Sequence, residues 1–159
     1  MANPIPEGFT SITPHIIING GADMLEFYKS AFNAEITMCM PGPDDLLMHA
    51  ELKIGDAMVM VGSNQWGEEG PKAPNQLGGS SCFICLYVED TDNAYQQALT
   101  AGAEEVMPPA DMFWGDRYCQ VRDPSGHIWS IATHMEDLTG EEIAQRGAEW
   151  FASMGNECG

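Results

Sequence analysis

The chain has 159 residues, 44% of them hydrophobic, and it carries 24 acidic against six basic residues, which gives a formal charge of −18. This length suits one ordinary domain or two small repeated ones, and the hydrophobic content excludes global disorder. The negative charge repels phosphate backbones and anionic lipids, so nucleic-acid and membrane partners are not expected. The N-terminus lacks the basic and apolar regions of a secretion signal, and we therefore expect a cytoplasmic protein.

The cysteine content shows no disulfide pattern. Five cysteines occur in a chain without a secretion signal, so we expect reduced thiols. Cys82 and Cys85 form a CxxC motif inside an apolar run that predicts a strand. Residues i and i+3 of a strand point to opposite faces, which favours two core cysteines; a zinc or redox site is the alternative.

In chain order, the first half of the sequence predicts a strand, a helix and three more strands. Residues 12–18 are rich in β-branched side chains and end at an Asn-Gly-Gly turn, which is typical of a strand. A helix begins near Asp23, with apolar residues at helical spacing as far as Phe32. Further strands are predicted at residues 35–40, 47–54 and 57–61.

The second half repeats this order. Residues 81–88 predict a strand, and a helix follows that Asp90 or Thr91 caps and Gly102 ends. Three strands are predicted at residues 104–107, 118–122 and 127–133, the first of them ended by a Pro-Pro pair. Tyr28 of the first helix aligns with Tyr95 of the second, and the neighbouring positions agree as well.

An internal repeat of this kind predicts an α+β fold built from two βαβββ modules. We place the first module at residues 8–62, a linker rich in Gly, Pro and Asn at 63–79, and the second module at 80–134. A C-terminal extension follows at 135–159, in which Asp137 or Thr139 is expected to cap a helix.

Several stretches resemble the vicinal-oxygen-chelate superfamily of glyoxalases, bleomycin-resistance proteins and dioxygenases, and within it the PhnB-like, or demethylubiquinone methyltransferase-like, branch. The stretches that carry this resemblance are residues 13–20, 26–28, 49–52, 107–118 and 123–130. The run Phe-Trp-Gly-Asp-Arg-Tyr at 113–118 is specific to that branch, whereas the Asp-Pro-x-Gly turn at 123–126 is common in the superfamily. The chain has no glycine-rich nucleotide loop to support methyl transfer.

The resemblance covers most of the chain and implies both architecture and partners. It implies a cup-shaped mixed sheet with helices on the outer face and a small-molecule cavity between modules. It also implies a homodimer in which modules of two chains complete each cup.

Enzymes of this superfamily bind a divalent metal through the first and fourth strands of each module. Aligning the repeats puts the four positions at His15, Met60, Phe83 and Ser130. Only His15 is an ordinary ligand, so we expect no standard divalent metal site. A displaced site made by His15, His49 and Glu51 is the alternative for a divalent metal cofactor.

Alternating polar and apolar residues mark one face of each sheet. In residues 48–53, His49 and Glu51 face away from the side that Ala50 and Leu52 present to the helix. The matching strand places Tyr118 and Gln120 on the corresponding face. We interpret this polar face as the wall of a binding cavity; simple contact with solvent is the alternative.

Three residues, Trp114, Asp116 and Arg117, lie in the loop before the third predicted strand of the second module. Trp114 and Arg117 are expected near the mouth of the cup, where an indole and a guanidinium clamp a flat or anionic ligand. The alternative is an Asp116–Arg117 pair that only orders the loop.

The function predicted from these residues is metal-independent binding of a small, largely apolar molecule, in the manner of bleomycin-resistance proteins. The expected ligand-binding residues are His49, Met60, Trp114, Arg117, Tyr118, Gln120 and Ser130. A superfamily enzyme of lyase, isomerase or dioxygenase type is the alternative, with His15 and Glu51 catalytic as a general base or in a non-standard metal site. A third possibility is a structural protein whose C-terminal helix docks on a partner.

Overall fold

A computed structural model describes residues 2–155 and contains two βαβββ units in tandem. The first unit consists of β1 (His15–Ile18), α1 (Asp23–Phe32), β2 (Glu35–Pro41), β3 (Leu47–Ile54) and β4 (Ala57–Ser63). A 3₁₀ turn (Gly67–Glu69) and the short helix α2 (Pro74–Leu77) follow. The second unit consists of β5 (Phe83–Tyr87), α3 (Thr91–Ala101), β6 (Glu104–Asp111), β7 (Asp116–Arg122) and β8 (Ile128–His134). Helix α4 (Gly140–Gly155) comes last.

The two sheets have the same topology. Their strand orders are β1-β4-β3-β2 and β5-β8-β7-β6. In each sheet the first strand pairs with the last in parallel, and the remaining pairs are antiparallel. The predicted α+β class and the repeated βαβββ order are therefore confirmed.

Both modules share one hydrophobic core. One face of each sheet is buried against its helix, as shown by Leu52, Val61, Val121 and Ile131, which are fully buried. Helices α1 and α3 also contact each other, and the core cluster contains residues of both units. Because this burial removes apolar surface from water on one face only, the opposite face of each sheet remains available for other contacts.

A buried carboxylate joins the two modules. Asp123, in the turn before β8, accepts hydrogen bonds from the Tyr28 hydroxyl of α1 at 2.8 Å and from the Trp129 indole at 3.0 Å. Its other oxygen accepts the backbone N–H groups of Ser125 and His127. Burial, together with the adjacent Asp123 charge, raises the pKa of Tyr28 well above its ordinary value. The superfamily-type turn thus serves as a link to the first module.

The largest error in a predicted strand boundary concerns β6. The strand predicted to stop at Pro108 continues to Asp111. β6 is the edge strand of its sheet, and its pairing with β7 shifts register between Met107 and Ala110. Proline is tolerated at an edge or a bulge because its missing N–H leaves no ladder partner unsatisfied there.

The cysteine prediction is also corrected. Cys82 lies just before β5 and Cys85 within it, and both are exposed rather than in the core. Cys39 is exposed as well, whereas Cys119 is buried. All four are free thiols, and the fifth, Cys158, lies outside the described residues.

Helix α4 is capped by Thr139, one of the two candidates from the sequence. The Thr139 hydroxyl accepts from the backbone N–H of Glu142, whose carboxylate accepts the Thr139 N–H at 2.8 Å. This reciprocal pair is a capping box. Farther along, Trp150 packs on Phe113, with the ring centroids 5.6 Å apart. Within residues 2–155, none of the helices combines the length and apolar character that crossing a membrane requires.

Candidate functional site

A transverse row of side chains crosses the first sheet on the face away from α1. His15 of β1 pairs with Met60 of β4, Met60 pairs with Glu51 of β3, and Glu51 pairs with Met38 of β2. Directly paired residues point to the same face of a sheet, so these four side chains are neighbours. His49 lies on the same face, two residues before Glu51.

The imidazoles of His15 and His49 meet although their strands are not adjacent. Their ring centroids are 5.6 Å apart, with the rings nearly perpendicular. The strand between them carries Gly62, and a β-carbon there would lie 3.5 Å from Nε2 of His15. The missing side chain therefore leaves room for the two rings to converge. His49 Nε2 also lies 3.7 Å from a carboxylate oxygen of Glu51.

The electrostatics of this group favour a neutral His15. Partial desolvation lowers the pKa of His15 below its ordinary value, and the nearby His49 lowers it further. At neutral pH the His15 ring therefore has an unprotonated nitrogen that accepts a hydrogen bond or a proton. Glu51 is the carboxylate that His49 contacts within residues 2–155, and both side chains are about three-quarters buried.

A hollow lies beside Glu51. It has a volume of about 530 Å³ and separates the N-terminal segment from the sheet, with Phe9, Lys53 and Met58 among its lining residues. The sequence offered no pattern that placed Phe9 there, because residues 2–14 form no regular element that packs by periodicity.

The second sheet carries a matching row, which corrects one aligned position. Ser130 of β8 pairs with Gln120 of β7 and with Cys85 of β5, whereas Phe83 pairs with Ile128. The counterpart of His15 is therefore Cys85 and not Phe83, as the sequence alignment had it. The four aligned positions thus hold an imidazole, a thioether, a thiol and a hydroxyl, divided between two sheets.

This donor set does not fit a divalent metal. Among residues 2–155, no group of three or more His, Cys, Asp or Glu side chains is arranged to hold a metal ion. The displaced site suggested for His15, His49 and Glu51 therefore lacks the required geometry. A thioether at Met60 and a neutral hydroxyl at Ser130 are also poor ligands for the hard or borderline divalent ions.

The polar group of the second sheet is held by neutral hydrogen bonds. The Tyr118 hydroxyl lies 2.7 Å from the Ser130 hydroxyl and accepts a bond from the Gln120 amide at 2.8 Å. Trp114 packs edge-on against the Tyr118 ring, with the centroids 5.4 Å apart. These four expected ligand-binding residues therefore lie together; Trp114, Tyr118 and Gln120 are partly accessible, whereas Ser130 is buried.

Arg117 does not join this group. Residues alternate along β7, so Arg117 lies on the face of α3 while Tyr118 lies on the other. Its guanidinium donates two hydrogen bonds to Asp92 at 2.8 Å each and one to Asp111 at 3.1 Å. These two carboxylates raise the pKa of Arg117 and occupy its donors. The alternative pairing of Arg117 with Asp116 is therefore wrong, whereas the expected ligand contact of Arg117 stays a prediction.

Asp116 lies beside the candidate ligand face, although the sequence had suggested it only as a partner of Arg117. Its carboxylate is only 5% exposed and accepts from the Trp114 indole, the Tyr87 hydroxyl and His134. Strand alternation could have predicted its position, because it places Asp116 on the same face of the sheet as Tyr118. The two residues are two positions apart on β7.

The two polar groups are separate in a single chain. Within the described residues, no hydrogen bond or aromatic contact links the group of His15, His49 and Glu51 with Tyr118 or its hydrogen-bond partners. Each sheet therefore carries its own polar group.

One family model matches most of the chain, and uncharacterized proteins of two mycobacteria are similar over most of its length. The family model described as the Glyoxalase/Bleomycin resistance protein/Dioxygenase superfamily matches residues 11–131. Uncharacterized proteins of Mycobacterium bovis and Mycobacterium tuberculosis are 38% identical over 135 residues, which is 84% of this chain and 89% and 79% of those proteins.

Solved structures show the same fold. TioX from Micromonospora sp. ML1 has 25% sequence identity and a TM-score of 0.62, with 79% of this chain and 99% of that chain covered. A gene product from Arabidopsis thaliana also has 25% identity, with a TM-score of 0.64 and coverage of 78% and 98%. A glyoxalase/bleomycin resistance protein/dioxygenase family enzyme from Burkholderia phytofirmans has 17% identity, a TM-score of 0.61 and coverage of 76% and 95%, and so supports the fold alone.

Proposed function

The chain belongs to the glyoxalase/bleomycin resistance protein/dioxygenase superfamily, and from this premise we propose that it binds a small, largely apolar molecule with polar groups, without the usual divalent metal. The single observation that carries the proposal is the matched pair of rows. Both sheets bury one face against a helix and keep accessible polar side chains at corresponding positions of the other face. A face that met only solvent would not need a hydrogen-bonded Tyr118, Gln120 and Ser130 network.

The chemistry of the rows indicates the kind of ligand. Met38 and Met60 offer a soft, adaptable apolar surface, and Trp114 offers an aromatic one. Glu51 supplies an acceptor and Gln120 an amide for the polar groups of the ligand. We therefore expect a molecule with an apolar or aromatic body and a few hydrogen-bonding groups.

We further propose that two chains complete each site as a homodimer. β1 and β5 are edge strands, and Phe83 and Tyr87 of β5 are 60% and 64% exposed in one chain. Large exposed aromatic residues at a sheet edge favour an interface. Sedimentation velocity tests this: a dimer is expected for the wild type, and weaker dimerisation for Phe83→Asp.

A ligand screen by thermal shift tests the binding proposal. A compound present at 100 times its dissociation constant is expected to add about 2.7 kcal/mol to the free energy of unfolding. Tyr118→Phe is expected to lower the affinity for a ligand that binds at this face. Tyr95→Phe, the same chemical change on α3, serves as the matched control. Equal affinity in Tyr118→Phe, Trp114→Phe and wild type would contradict the assigned site.

A second candidate is an enzyme of isomerase or lyase type in which His15 or Glu51 acts as general base. The observation in its favour is the lowered pKa of His15, which keeps the ring ready to accept a proton. Hydrogen–deuterium exchange at acidic C–H groups of the screening hits, followed by NMR, tests this reaction class. Exchange that His15→Ala and Glu51→Gln leave unchanged would exclude both residues as the base.

Two finer assignments belong with this proposal. The run Phe113–Tyr118 supports the PhnB-like branch, and a cytoplasmic location is the second assignment. Immunofluorescence of the endogenous protein tests the location.

A further inference from the structure

Asp116 is a buried acid that lies next to the candidate ligand face. It begins β7 and shares a face with Tyr118, yet it is only 5% exposed. A buried carboxylate requires several hydrogen-bond donors to offset its desolvation. The identity of these donors indicates what the residue does.

All three side-chain donors to Asp116 surround the aromatic end of the face. The Trp114 indole N–H and the Tyr87 hydroxyl both donate to Oδ2, each at 3.1 Å. His134 Nδ1 lies 2.9 Å from Oδ1. One carboxylate therefore connects the turn before β7 with β5 and β8.

The backbone of that turn is fixed independently of the Asp116 side chain. The Gly115 carbonyl accepts hydrogen bonds from the backbone N–H groups of Met135 at 2.9 Å and Glu136 at 3.0 Å. Gly115 has φ +97°, and a β-carbon there would lie 2.7 Å from the Glu136 carbonyl oxygen. With the backbone held in place, rotation of the Trp114 side chain is the remaining freedom, and the bond to Asp116 removes it.

We propose that Asp116 is a positioning residue that fixes the Trp114 indole beside Tyr118 as an aromatic wall, so that the site selects ligands with a flat aromatic ring. This inference rests on the proposed binding function and deepens it. Trp114 supplies the stacking surface, since its ring packs edge-on against Tyr118 at 5.4 Å and 80°. Asp116 itself does not contact the ligand.

His134 makes this arrangement dependent on pH. The His134 ring faces two carboxylates, Asp116 of β7 and Asp137 after β8. The Tyr87 hydroxyl of β5 donates to the same Asp116 carboxylate, and the neighbouring Glu136 is paired with Arg146. The bonds to Asp116 and Asp137 raise the pKa of His134 above its ordinary value. Below that pKa the imidazolium donates to both carboxylates, and above it the neutral ring donates to only one.

NMR of the indole N–H groups tests the positioning role without any ligand. The Trp114 resonance is identified by its absence in Trp114→Phe. We expect it to shift upfield and broaden in Asp116→Asn and to move with pH in the wild type. In His134→Gln, a change at an exposed residue, the pH dependence is expected to vanish. Asp123→Asn, a change to another buried carboxylate, is the matched control and should leave this resonance in place.

Binding of Nile red, a flat neutral dye, tests the consequence for the site. We expect the dissociation constant to rise about tenfold in Trp114→Leu and in Asp116→Asn, and to stay within about twofold of wild type in Asp123→Asn. An unchanged Trp114 resonance in both Asp116→Asn and His134→Gln would overturn the positioning role. A shifted resonance with unchanged dye affinity would overturn the aromatic wall. If the wild type bound no flat aromatic probe, the proposed function would fail, while the NMR result would still decide the role of Asp116.

Discussion

The polar faces of the two sheets occupy the same positions but differ in chemistry. By strand register, the equivalent residues are His15 and Cys85, Met60 and Ser130, Glu51 and Gln120, and His49 and Tyr118. At these four positions the first face holds two imidazoles and a carboxylate, and the second holds a thiol and neutral hydrogen-bonding groups. Duplication thus preserved the geometry of the row while its chemistry diverged. We infer that one half provides ionisable groups and the other provides shape and hydrogen bonds.

The same divergence appears in the paired tyrosines of the helices, and it gives the largest expected effect. Tyr28 donates across the module boundary to the buried Asp123, whereas Tyr95 donates to the exposed Glu105 of its own module. Removing a donor from a buried carboxylate costs about 1–3 kcal/mol, more than removing one from a solvated partner. Urea denaturation is expected to show a greater loss of stability for Tyr28→Phe than for Tyr95→Phe. Equal losses would contradict the special role of the Asp123 link.

Gly62→Ala is expected to break the contact between the two imidazoles. The added methyl group would lie 3.3 Å from the Met48 carbonyl oxygen and 3.5 Å from His15 Nε2. We expect a cost of about 1 kcal/mol in the free energy of unfolding, typical of mild overpacking. The pKa of His15, followed by NMR of its ring protons, should rise toward its ordinary value as His49 moves away. Ala132, the counterpart of Gly62 on β8, offers the control Ala132→Gly, which should leave the pKa of His15 unchanged.

The lowered pKa of His15 gives a smaller, pH-dependent effect. Between the ordinary pKa near 6.5 and the lower folded value, the unfolded chain binds more protons than the folded one at this site, so stability falls as pH decreases through this window. The four row positions of the second sheet hold no imidazole, and His134 next to them has a raised pKa, so its contribution to the pH dependence has the opposite sign. Wild type is expected to lose more stability than His15→Gln between pH 7 and pH 5. Parallel losses in the two proteins would show that His15 is not desolvated in the folded state.

Arg117→Gln is expected to have the smallest effect on ligand binding. Its guanidinium is paired with Asp92 and Asp111 on the helix side of β7, away from Tyr118. The affinity for screening hits should stay within about twofold of wild type. A tenfold loss in Arg117→Gln would mean that Arg117 leaves these carboxylates when ligand binds.

The repeated architecture was predictable from the sequence because hydrophobic periodicity and turn residues act locally. The alternation at residues 48–53 and 118–122 also placed His49, Glu51, Tyr118 and Gln120 on the correct faces. The same alternation puts Arg117 on the face of the sheet opposite Tyr118. Arg117 was nevertheless predicted as a ligand contact because the chain has few basic residues.

What the sequence did not provide was long-range register and side-chain partnership. Phe83 was aligned with His15 because loop lengths differ between the modules, and only the pairing with β8 showed that Cys85 holds that place. The donors to Asp116 come from three separate elements. No local pattern predicts such a cluster, because it depends on how the strands and the segment before α4 pack together.

NMR perturbation by the first confirmed ligand tests the central claim most directly, namely that both polar faces contribute to one kind of binding site. We expect shifts in the ring protons of His15 and His49 and in the side-chain amide of Gln120, and titration of all three signals should give the same ligand dissociation constant. Shifts confined to the groove between α1 and α3, where Ser30 and Gln97 line a hollow of about 620 Å³, would contradict it.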